Sequence, residues 1–369
     1  MIIKKSPMDF VVKENLSIKL KPAYSRGFPY AVYILKKTGL ETGEVVKIIS
    51  KRLRVLKADI KLSGLKDKDA VTYQYISVKG RCPPEVKLKN IELVLKGYSD
   101  KPLAIGTHVS NTFEITMREL SSEQINRIRS KKVSFMPNYF GDQRFGSVRF
   151  FHDSNDFMMK HAVQGHFWDA IKVYLTRFTP DDNFKQAKIT IKEHWKDLKA
   201  CPMLPVGEYS KLVDILKNTS NPLTALKHID ETIMKMAIYA YQSFLWNETL
   251  KSYIKEKYKY KSTQYICGHL YFPSVAVKEE IEIPILNYKS EIPSAVKDAV
   301  HEVLNKEGIT QEQLRTKVFG NSFFSTSMRK GFVRVSDFKV KSFGKDHVTV
   351  SFSLPKGAYA TVFVDGLMV

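Results

Sequence analysis

The 369-residue chain combines an ordinary globular composition with a strong positive charge. Hydrophobic residues make up 43% of the chain and aromatic residues 12%, enough to fill one large core or the cores of two ordinary domains. The 59 Lys and Arg residues outnumber the 38 Asp and Glu residues, which leaves a formal net charge of +21. Such a field attracts polyanions, so RNA, DNA and anionic membrane surfaces are candidate partners, with a merely solubilising Lys-rich surface as the alternative.

The cysteine pattern and the N-terminal sequence indicate in which cellular compartment we expect the protein. Cys82, Cys201 and Cys267 lie far apart and form no CxxC pair, which argues against a disulfide framework and a cysteine-based zinc site. The N-terminal segment MIIKKSPMDF lacks the apolar core of a signal peptide, and no apolar run approaches the length of a membrane span. We therefore expect a soluble, cytoplasmic protein that has no contact with a membrane.

Strands dominate the first 120 residues of the chain. Short segments rich in β-branched and aromatic residues predict strands at residues 10–12, 30–35, 72–78, 91–95 and 112–118. One helix interrupts them, because apolar residues recur at helical spacing from Val45 to Leu56. A second helix is predicted to begin near Ser121, since Ser121 and Gln124 have the spacing of a capping box.

The pattern becomes helical after residue 155 and returns to strands at the C-terminal end. Residues 160–177 and 229–257 carry helical periodicity, whereas Val348, Val350, Phe352 and Leu354 alternate as in a half-buried strand. Strand-rich ends around a helical middle predict a discontinuous domain. We place it at residues 1–155 plus 327–369, with residues 156–326 as an insertion.

Four short segments contain residue types suited to chemistry or to RNA binding. They are FVVKE at residues 10–14 after Lys4, GLKDKDAVTYQ at 64–74, NYFGDQRFG at 138–146 and LPKGAYAT at 354–361. Singly, each has an ordinary explanation: an edge strand, a charged turn, a glycine-punctuated loop with buried aromatic rings, and a turn followed by a small-residue strand. The chain has no P-loop, GxGxxG or GxSxG motif, so nucleotide chemistry at a glycine loop is not indicated.

Together and in this order, the segments resemble the FxVxE, GxKDxxAxTxQ, NYFGxQRFG and LPxGxYAT motifs of TruD-type pseudouridine synthases. Two weaker matches, at residues 106–118 and 240–247, extend the resemblance over most of the chain. The resemblance implies an α+β fold, with a mixed-sheet pseudouridine-synthase catalytic domain formed by both termini and an inserted α/β TRUD domain. The insertion falls where the sequence pattern becomes helical.

The resemblance also implies an activity and a set of site residues. The activity is an isomerase that converts uridine to pseudouridine, at position 13 of tRNA, acting as a monomer without a cofactor. Asp67 matches the catalytic aspartate, and Lys4 matches a lysine close to it. The implied substrate-binding residues are Phe10, Asn138, Phe140, Gln143, Arg144 and Tyr359. For Gln143 and Arg144, RNA contact and bracing of the loop remain open alternatives.

Two departures from the family pattern bear on these assignments. Asp69 stands where relatives more often have a basic or small residue, which adds a second carboxylate to the loop. We prefer Asp67 because it directly follows Gly-x-Lys, as the family aspartate does. The chain ends in VFVDGLMV, where relatives usually have an Arg-Glu pair.

The residue types suit the implied chemistry. Pseudouridine formation breaks the bond between ribose C1′ and uracil N1, rotates the base and rejoins it through C5, without an external energy source. A carboxylate can trap or assist a glycosyl-cation-like centre, and a nearby cation such as Lys4 favours its ionised form. A flipped-out base is held best by an aromatic face with polar groups at its edge, which Phe10, Tyr359 and Asn138 offer.

Two classes of alternative function remain at this point. A non-catalytic RNA-binding or RNA-folding protein on the same scaffold would bind RNA without isomerising it. A methyltransferase should contain a cofactor-binding glycine loop, and a zinc deaminase HxE…CxxC ligands, and the chain has neither motif. His161 and His166 are five residues apart with no evident third ligand, so we expect no metal site.

The net charge generates the first testable prediction. Because Lys and Arg release counterions when they bind phosphates, affinity for tRNA should fall steeply as salt rises. Neutralisation of about six phosphates would weaken binding roughly 10³-fold between about 50 and 200 mM salt. Filter binding across this range measures the slope, and an affinity that does not change with salt contradicts phosphate-dominated binding.

Overall fold

The computed structural model describes residues 1–146, 148, 153–178, 182–277, 279–315 and 324–369. It confirms the α+β class. The strands in the described part are β1 (Phe10–Leu16), β2 (Tyr30–Thr38), β3 (Ile60–Leu62), β4 (Val71–Lys79), β5 (Glu85–Leu88), β6 (Ile91–Ser99), β7 (His108–Arg118), β8 (Phe135–Pro137), β9 (Tyr260–Tyr265), β10 (Gly268–Pro273), β11 (Glu282–Ile285), β12 (Ser327–Lys330), β13 (Phe332–Arg334), β14 (Ser336–Phe343) and β15 (His347–Pro355). The α-helices there are α1 (Thr42–Leu53), α2 (Ser122–Ser130), α3 (Met158–Val163), α4 (Phe167–Thr176), α5 (Lys185–Glu193), α6 (Glu208–Thr219), α7 (Pro222–Leu226), α8 (Glu231–Lys257), α9 (Lys297–Glu307) and α10 (Ala360–Met368).

The chain divides into two compact units. Unit 1 contains Met1–Met136 and Val333–Met368, and unit 2 contains Pro137–Phe332 with Val369. Both ends of the chain therefore contribute to unit 1, whereas the middle forms unit 2. The boundaries that we placed at residues 155 and 326 fall inside unit 2, and the assignment of functional domains to these segments stays a prediction.

Unit 1 is built on one mixed sheet of nine strands, in the order β14-β15-β7-β1-β4-β2-β6-β5 with β3 also paired to β4. All pairs in this sheet are antiparallel except β1 with β4. β1 pairs with the first residues of β4, from Val71 to Tyr73, and β3 pairs with later ones, from Ile76 to Val78. The loop from β3 to β4 therefore lies where β1 meets β4.

The predicted strands and helix starts of unit 1 are confirmed, with small shifts at their ends. β15 alternates between buried and half-buried residues and pairs with β7, so the C-terminal strand completes the sheet as predicted. α2 has the expected capping box at Ser121 and Gln124. α1 ends at Leu53 because Arg54 takes a left-handed conformation with φ 55°, which leaves Leu56 outside the helix and 72% exposed.

One predicted element is wrong. The segment after LPKG, interpreted as a strand of small residues, is helix α10. Among its buried residues, Ala360, Phe363, Val364 and Leu367 recur three or four apart, which is helical and not strand periodicity.

The helical prediction for residues 160–177 is confirmed. The segment is divided between α3 and α4, because Gly165 between them has φ 82° and a right-handed helix cannot pass through it.

Unit 2 is mainly helical around α8, which confirms the predicted helix at residues 229–257. Residues 240–250 of α8 are buried without interruption, as expected for a helix enclosed by its own unit. β9 pairs with β10 and β11 with β12 in two small antiparallel ladders. Within the described residues, no helix has the length and hydropathy needed to cross a membrane.

A substitution at Phe352 on β15 tests whether the terminal strand is part of the core of unit 1. Its ring is fully buried, stacks on Phe113 with ring centres 5.4 Å apart, and lies 4.2 Å from the ring of Phe363. Phe352→Ala should lower the free energy of unfolding by about 3–5 kcal/mol, because it removes this apolar contact and leaves a cavity. Chemical denaturation measures the change.

Phe343→Ala is the matched control for this prediction. Phe343 ends the neighbouring strand β14 and is 51% exposed. Its removal should change the free energy of unfolding by about 1 kcal/mol or less. Equal losses in the two variants would show that the terminal strand does not anchor the core.

Candidate active site

The GLKD loop of unit 1, residues 63–70, joins β3 to β4. Several of its main-chain carbonyls accept hydrogen bonds from other parts of the unit. The main-chain N–H of Gly106 donates to Ser63 O at 2.8 Å, and the hydroxyl of Thr42 donates to Lys66 O at 3.2 Å. The Gln74 side chain donates to Gly64 O at 3.4 Å. These contacts come from separate parts of the chain, so the sheet and the start of α1 together fix the loop.

Asp67 presents its carboxylate at the surface of this loop, next to Lys4. Lys4 Nζ lies 2.7 Å from Asp67 Oδ2, and the two side chains are 25% and 36% exposed. The same ammonium lies 4.4 Å from the centre of the Phe10 ring. Three of the residues expected at the site therefore lie together, and the carboxylate among them is partly exposed beside a cation.

Lys66, one residue earlier, points the other way, into the protein. Its ammonium lies 2.6 Å from Glu14 Oε1, and the Glu14 side chain has no exposed surface. Glu14 Oε2 also accepts hydrogen bonds from the Ser63 hydroxyl and, at 2.7 Å, from the Tyr75 N–H. One buried carboxylate thus connects β1, the first half of the loop and β4.

Gly64 and His108 complete this buried cluster. A Cβ at Gly64 would come within 2.9 Å of Glu14 Oε1 and 3.2 Å of Lys66 Nζ, so a side chain there would displace the ion pair. His108 Nδ1 lies 3.0 Å from Ser63 O and 3.9 Å from Glu14 Oε1. The weaker family match at residues 106–118 therefore contributes a residue that packs behind the loop.

Lys37 on β2 also holds the loop, and the sequence reasoning missed it. Its ammonium donates to Asp67 O at 2.6 Å and to Leu40 O at 2.9 Å, and the residue is completely buried. Burial lowers the pKa of Lys37 to about 8, because loss of hydration disfavours the ammonium; the Asp67 carboxylate opposes this shift and Lys66 adds to it. Strand periodicity was the available signal, since Lys37 is in phase with Tyr33 and Leu35 on the buried face.

The remaining assigned residue of unit 1 is Tyr359. It is half-buried and directly precedes α10, where Phe363 donates its N–H to Tyr359 O at 3.2 Å. The preceding Lys356 donates its ammonium to Gly106 O at 3.0 Å. Because Gly106 binds Ser63, the LPKGAYAT segment is linked through residue 106 to the start of the GLKD loop.

The NYFGDQRFG segment lies in unit 2, where Asn138 is buried against β12. Asn138 Nδ2 donates to Lys330 O at 3.0 Å, and its Oδ1 accepts from Arg329 Nη2 at 2.8 Å. The same guanidinium donates to Asn138 O. The amide that we assign to the uracil edge is therefore oriented by two neighbouring residues of its own unit.

Phe140 is enclosed by cations and by α8. The guanidinium of Arg329 lies 4.1 Å from the centre of its ring, and Trp246 meets the ring edge-on with centres 5.5 Å apart. Asn247 exchanges two hydrogen bonds with the Phe140 main chain, both of 2.9 Å. Trp246 and Asn247 belong to the AYQSFLWN match, so this helical segment packs beneath the NYFG loop.

Arg144 and Gln143 follow in a short 3-10 turn, Asp142–Phe145. Arg144 Nε donates to the Ser243 hydroxyl at 2.9 Å, and its guanidinium lies 5.1 Å from the ring of Tyr239. Both partners are on α8, so Arg144 makes the contacts that bracing of the loop requires. Gln143 is exposed. RNA contact by either residue stays a prediction.

A possible set of metal ligands exists in unit 2 at the α3–α4 corner. The ligand atoms of His161, His166 and Asp169 lie within 4.8 Å of one another, so the expectation that the two histidines lack a third ligand is wrong. His166 and Asp169 are exposed, and a ring nitrogen of His161 lies 2.9 Å from Asn155 O. Asp169 was missed because it falls on the next helix, past the bend at Gly165.

The ion pair of Glu14 yields a stability prediction. Glu14→Gln removes one charge of a buried pair and leaves the Lys66 ammonium uncompensated. The free energy of unfolding should fall by about 3–5 kcal/mol. Urea denaturation followed by circular dichroism measures it.

Glu92→Gln serves as the control for this loss. Glu92 Oε2 lies 3.9 Å from Lys36 Nζ at the surface of the same sheet, with its side chain 35% exposed. An exposed pair contributes about 1 kcal/mol or less, so this variant should unfold almost as the native protein does. A small effect of Glu14→Gln as well would mean that the cluster does not hold the loop.

Comparison with known proteins identifies the family. The family model of tRNA pseudouridine synthase D (TruD) matches residues 1–269 and 275–366 of this chain. A probable tRNA pseudouridine synthase D from Nanoarchaeum equitans is 36% identical over 100% of this chain and 98% of its own. The tRNA pseudouridine synthase D of Aquifex aeolicus is 33% identical over 98% of this chain and 96% of its own.

A solved structure supports the fold independently. The crystal structure of a protein assigned to TruD from Methanosarcina mazei superposes with a TM-score of 0.74, at 24% identity, over 99% of this chain and 93% of that one. At that identity the similarity concerns the fold. Given the family match over nearly the whole sequence, the chain belongs to the tRNA pseudouridine synthase D (TruD) family.

Proposed function

We propose that this protein is a tRNA pseudouridine synthase that isomerises uridine at position 13 of tRNA, with Asp67 as its catalytic carboxylate. The observation that carries the proposal is the contact of 2.7 Å between Lys4 and Asp67 on the GLKD loop. It gives the family's aspartate a cationic neighbour and leaves its carboxylate partly open to solvent. The relatives named above as tRNA pseudouridine synthases support the reaction and the class of RNA.

The chemistry asks for a negative charge beside the ribose of the target nucleotide. When the bond from C1′ to N1 breaks, positive charge develops on the sugar, and an ionised carboxylate stabilises or traps that centre. Lys4 donates a hydrogen bond of 2.7 Å to the Asp67 carboxylate and places a positive charge beside it. The base then rotates and rejoins through C5, which loses its proton, while N1 gains a proton; the net change is an isomerisation that needs no cofactor.

The uridine must leave its stack to reach Asp67. In unit 1, the proposed aromatic contacts of the flipped base are Phe10, which is 4% exposed, and the half-buried Tyr359. In unit 2, Asn138 is the proposed partner for the uracil edge, with Phe140 behind it. The contact of Asn138 with Arg329 orients the amide, which supports a fixed recognition group.

RNA binding in this proposal rests on charge, and specificity on RNA shape. A net charge of +21 supplies backbone affinity without sequence information. We further propose that the protein acts in the cytoplasm as a monomer. The cysteines Cys82, Cys201 and Cys267 are free thiols, which suits a reducing compartment.

The substitution Asp67→Asn tests the enzyme against the non-catalytic RNA-binding alternative. It preserves shape but removes the charge, so the rate should fall by several powers of ten, or by about 4 kcal/mol or more in activation free energy. Affinity for tRNA should change little, since basic residues throughout the protein supply it. Pseudouridine formed in a tRNA transcript is measured beside filter binding.

Asp69→Asn is the internal control, two residues away in the same loop. Asp69 is exposed, and we expect this variant to retain most of the activity. An inactive Asp69→Asn beside an active Asp67→Asn would show that the carboxylate is misassigned. A native protein that binds RNA but forms no pseudouridine in any transcript would favour the non-catalytic alternative.

A further inference from the structure

Lys37 is an unusual residue for the interior of a sheet. It lies near the end of β2, which is paired on both sides, by β4 and by β6, and it is 0% exposed. Lysine is almost never fully buried unless a charged partner compensates it. The hydrogen bonds of Lys37 instead go to two main-chain carbonyls, of Leu40 and Asp67.

These two hydrogen bonds connect the turn after β2 to the catalytic loop. The contact with Asp67 O is 2.6 Å long, and the contact with Leu40 O is 2.9 Å. The same turn reaches the loop at two further points, from Gly39 N to Ala70 O at 3.3 Å and from the Thr42 hydroxyl to Lys66 O at 3.2 Å. Among these contacts, Lys37 supplies the one charged donor, and it acts at the catalytic residue itself.

We infer that Lys37 is a positioning residue, which fixes the main chain of Asp67 against the turn after β2 and so sets the direction of its carboxylate. The inference rests on the proposed role of Asp67. A hydrogen bond to the main chain constrains the Asp67 backbone without occupying the carboxylate. The carboxylate itself contacts Lys4 at 2.7 Å.

The positive charge of Lys37 has a second, electrostatic effect on Asp67. The charged groups that face it are the Asp67 carboxylate and the Lys66 ammonium, and beyond these Lys4 contacts Asp67 and Glu14 contacts Lys66. Because Lys37 is buried, its positive charge is screened little by water and acts on the nearby Asp67 carboxylate. Loss of the proton from Lys37 removes that charge and weakens both hydrogen bonds.

Burial of the Lys37 ammonium has an energetic cost in the folded protein. Its lowered pKa means that burial disfavours the charged form at neutral pH, so the folded protein carries an unfavourable term there. That term is fully present below about pH 8 and is relieved as pH rises toward the value of an unfolded lysine.

The test compares Lys37→Met with Lys36→Met. Lys36 precedes Lys37 on the same strand but projects from the other face, with its side chain 42% exposed. Lys37→Met should lower kcat about 100-fold, as expected when a reacting group is misplaced by about 1 Å. Its KM and its Kd for a tRNA transcript should stay within about threefold of the native values, and Lys36→Met should match the native protein throughout.

Several outcomes would overturn the inference. A native kcat in Lys37→Met, with Asp67→Asn inactive, removes the role of Lys37 and leaves the proposed function intact. A parallel fall of kcat and of the melting temperature in both lysine variants would indicate a general effect on folding. An active Asp67→Asn would remove the catalytic assignment and the inference together.

The native protein supplies a second measurement that does not depend on the folding of a variant. We expect kcat to fall as pH rises through about 8, because Lys37 then loses its proton. Lys36→Met should retain this decline, whereas the residual kcat of Lys37→Met should not show it. A native kcat that is constant from pH 7 to pH 9.5 would overturn the electrostatic part of the inference.

Discussion

The buried ion pair between Glu14 and Lys66 is the interaction on which the loop between β3 and β4 of unit 1 depends. Two charges removed from water are tolerated only while they satisfy each other, so β1 and the loop before β4 must keep one fixed register. The other oxygen of Glu14 binds Ser63 and the Tyr75 main chain, which joins the start of the loop and β4 to one carboxylate. The pair contributes to placement of the loop more than to net stability, because desolvation offsets much of the attraction.

Two lysines act on Asp67 in physically different ways. Lys4 lies partly exposed and touches the carboxylate, so water and salt screen its charge and its side chain is free to adjust when substrate enters. Lys37 is buried, and its described hydrogen bond to Asp67 goes to the main-chain carbonyl. Its charge is therefore screened little, and its position is fixed. The exposed lysine suits contact with substrate, and the buried one suits orientation of the aspartate.

The sequence predicted elements well wherever one face of a strand or helix is buried. β15 followed from its alternation and α2 from its capping box. The helix α10 did not, because nine residues that are mostly small or β-branched carry weak local preference and are decided by packing. Motif order brought out Asp67 and Lys4. Lys37 was missed because a single lysine in a strand is normally assigned to the solvent face, although its phase with Leu35 placed it inside.

Lys66 and Asp67 are adjacent in the loop between β3 and β4 but have different surroundings. The Lys66 ammonium contacts the buried Glu14 carboxylate, whereas the Asp67 side chain is 36% exposed beside Lys4. Asp69 lies two residues further on and is exposed as well, so orientation alone does not separate the two aspartates. Their neighbours do. Lys4 contacts the carboxylate of residue 67 and Lys37 its carbonyl, and that pair of cations distinguishes a candidate catalytic group from a solvated turn residue.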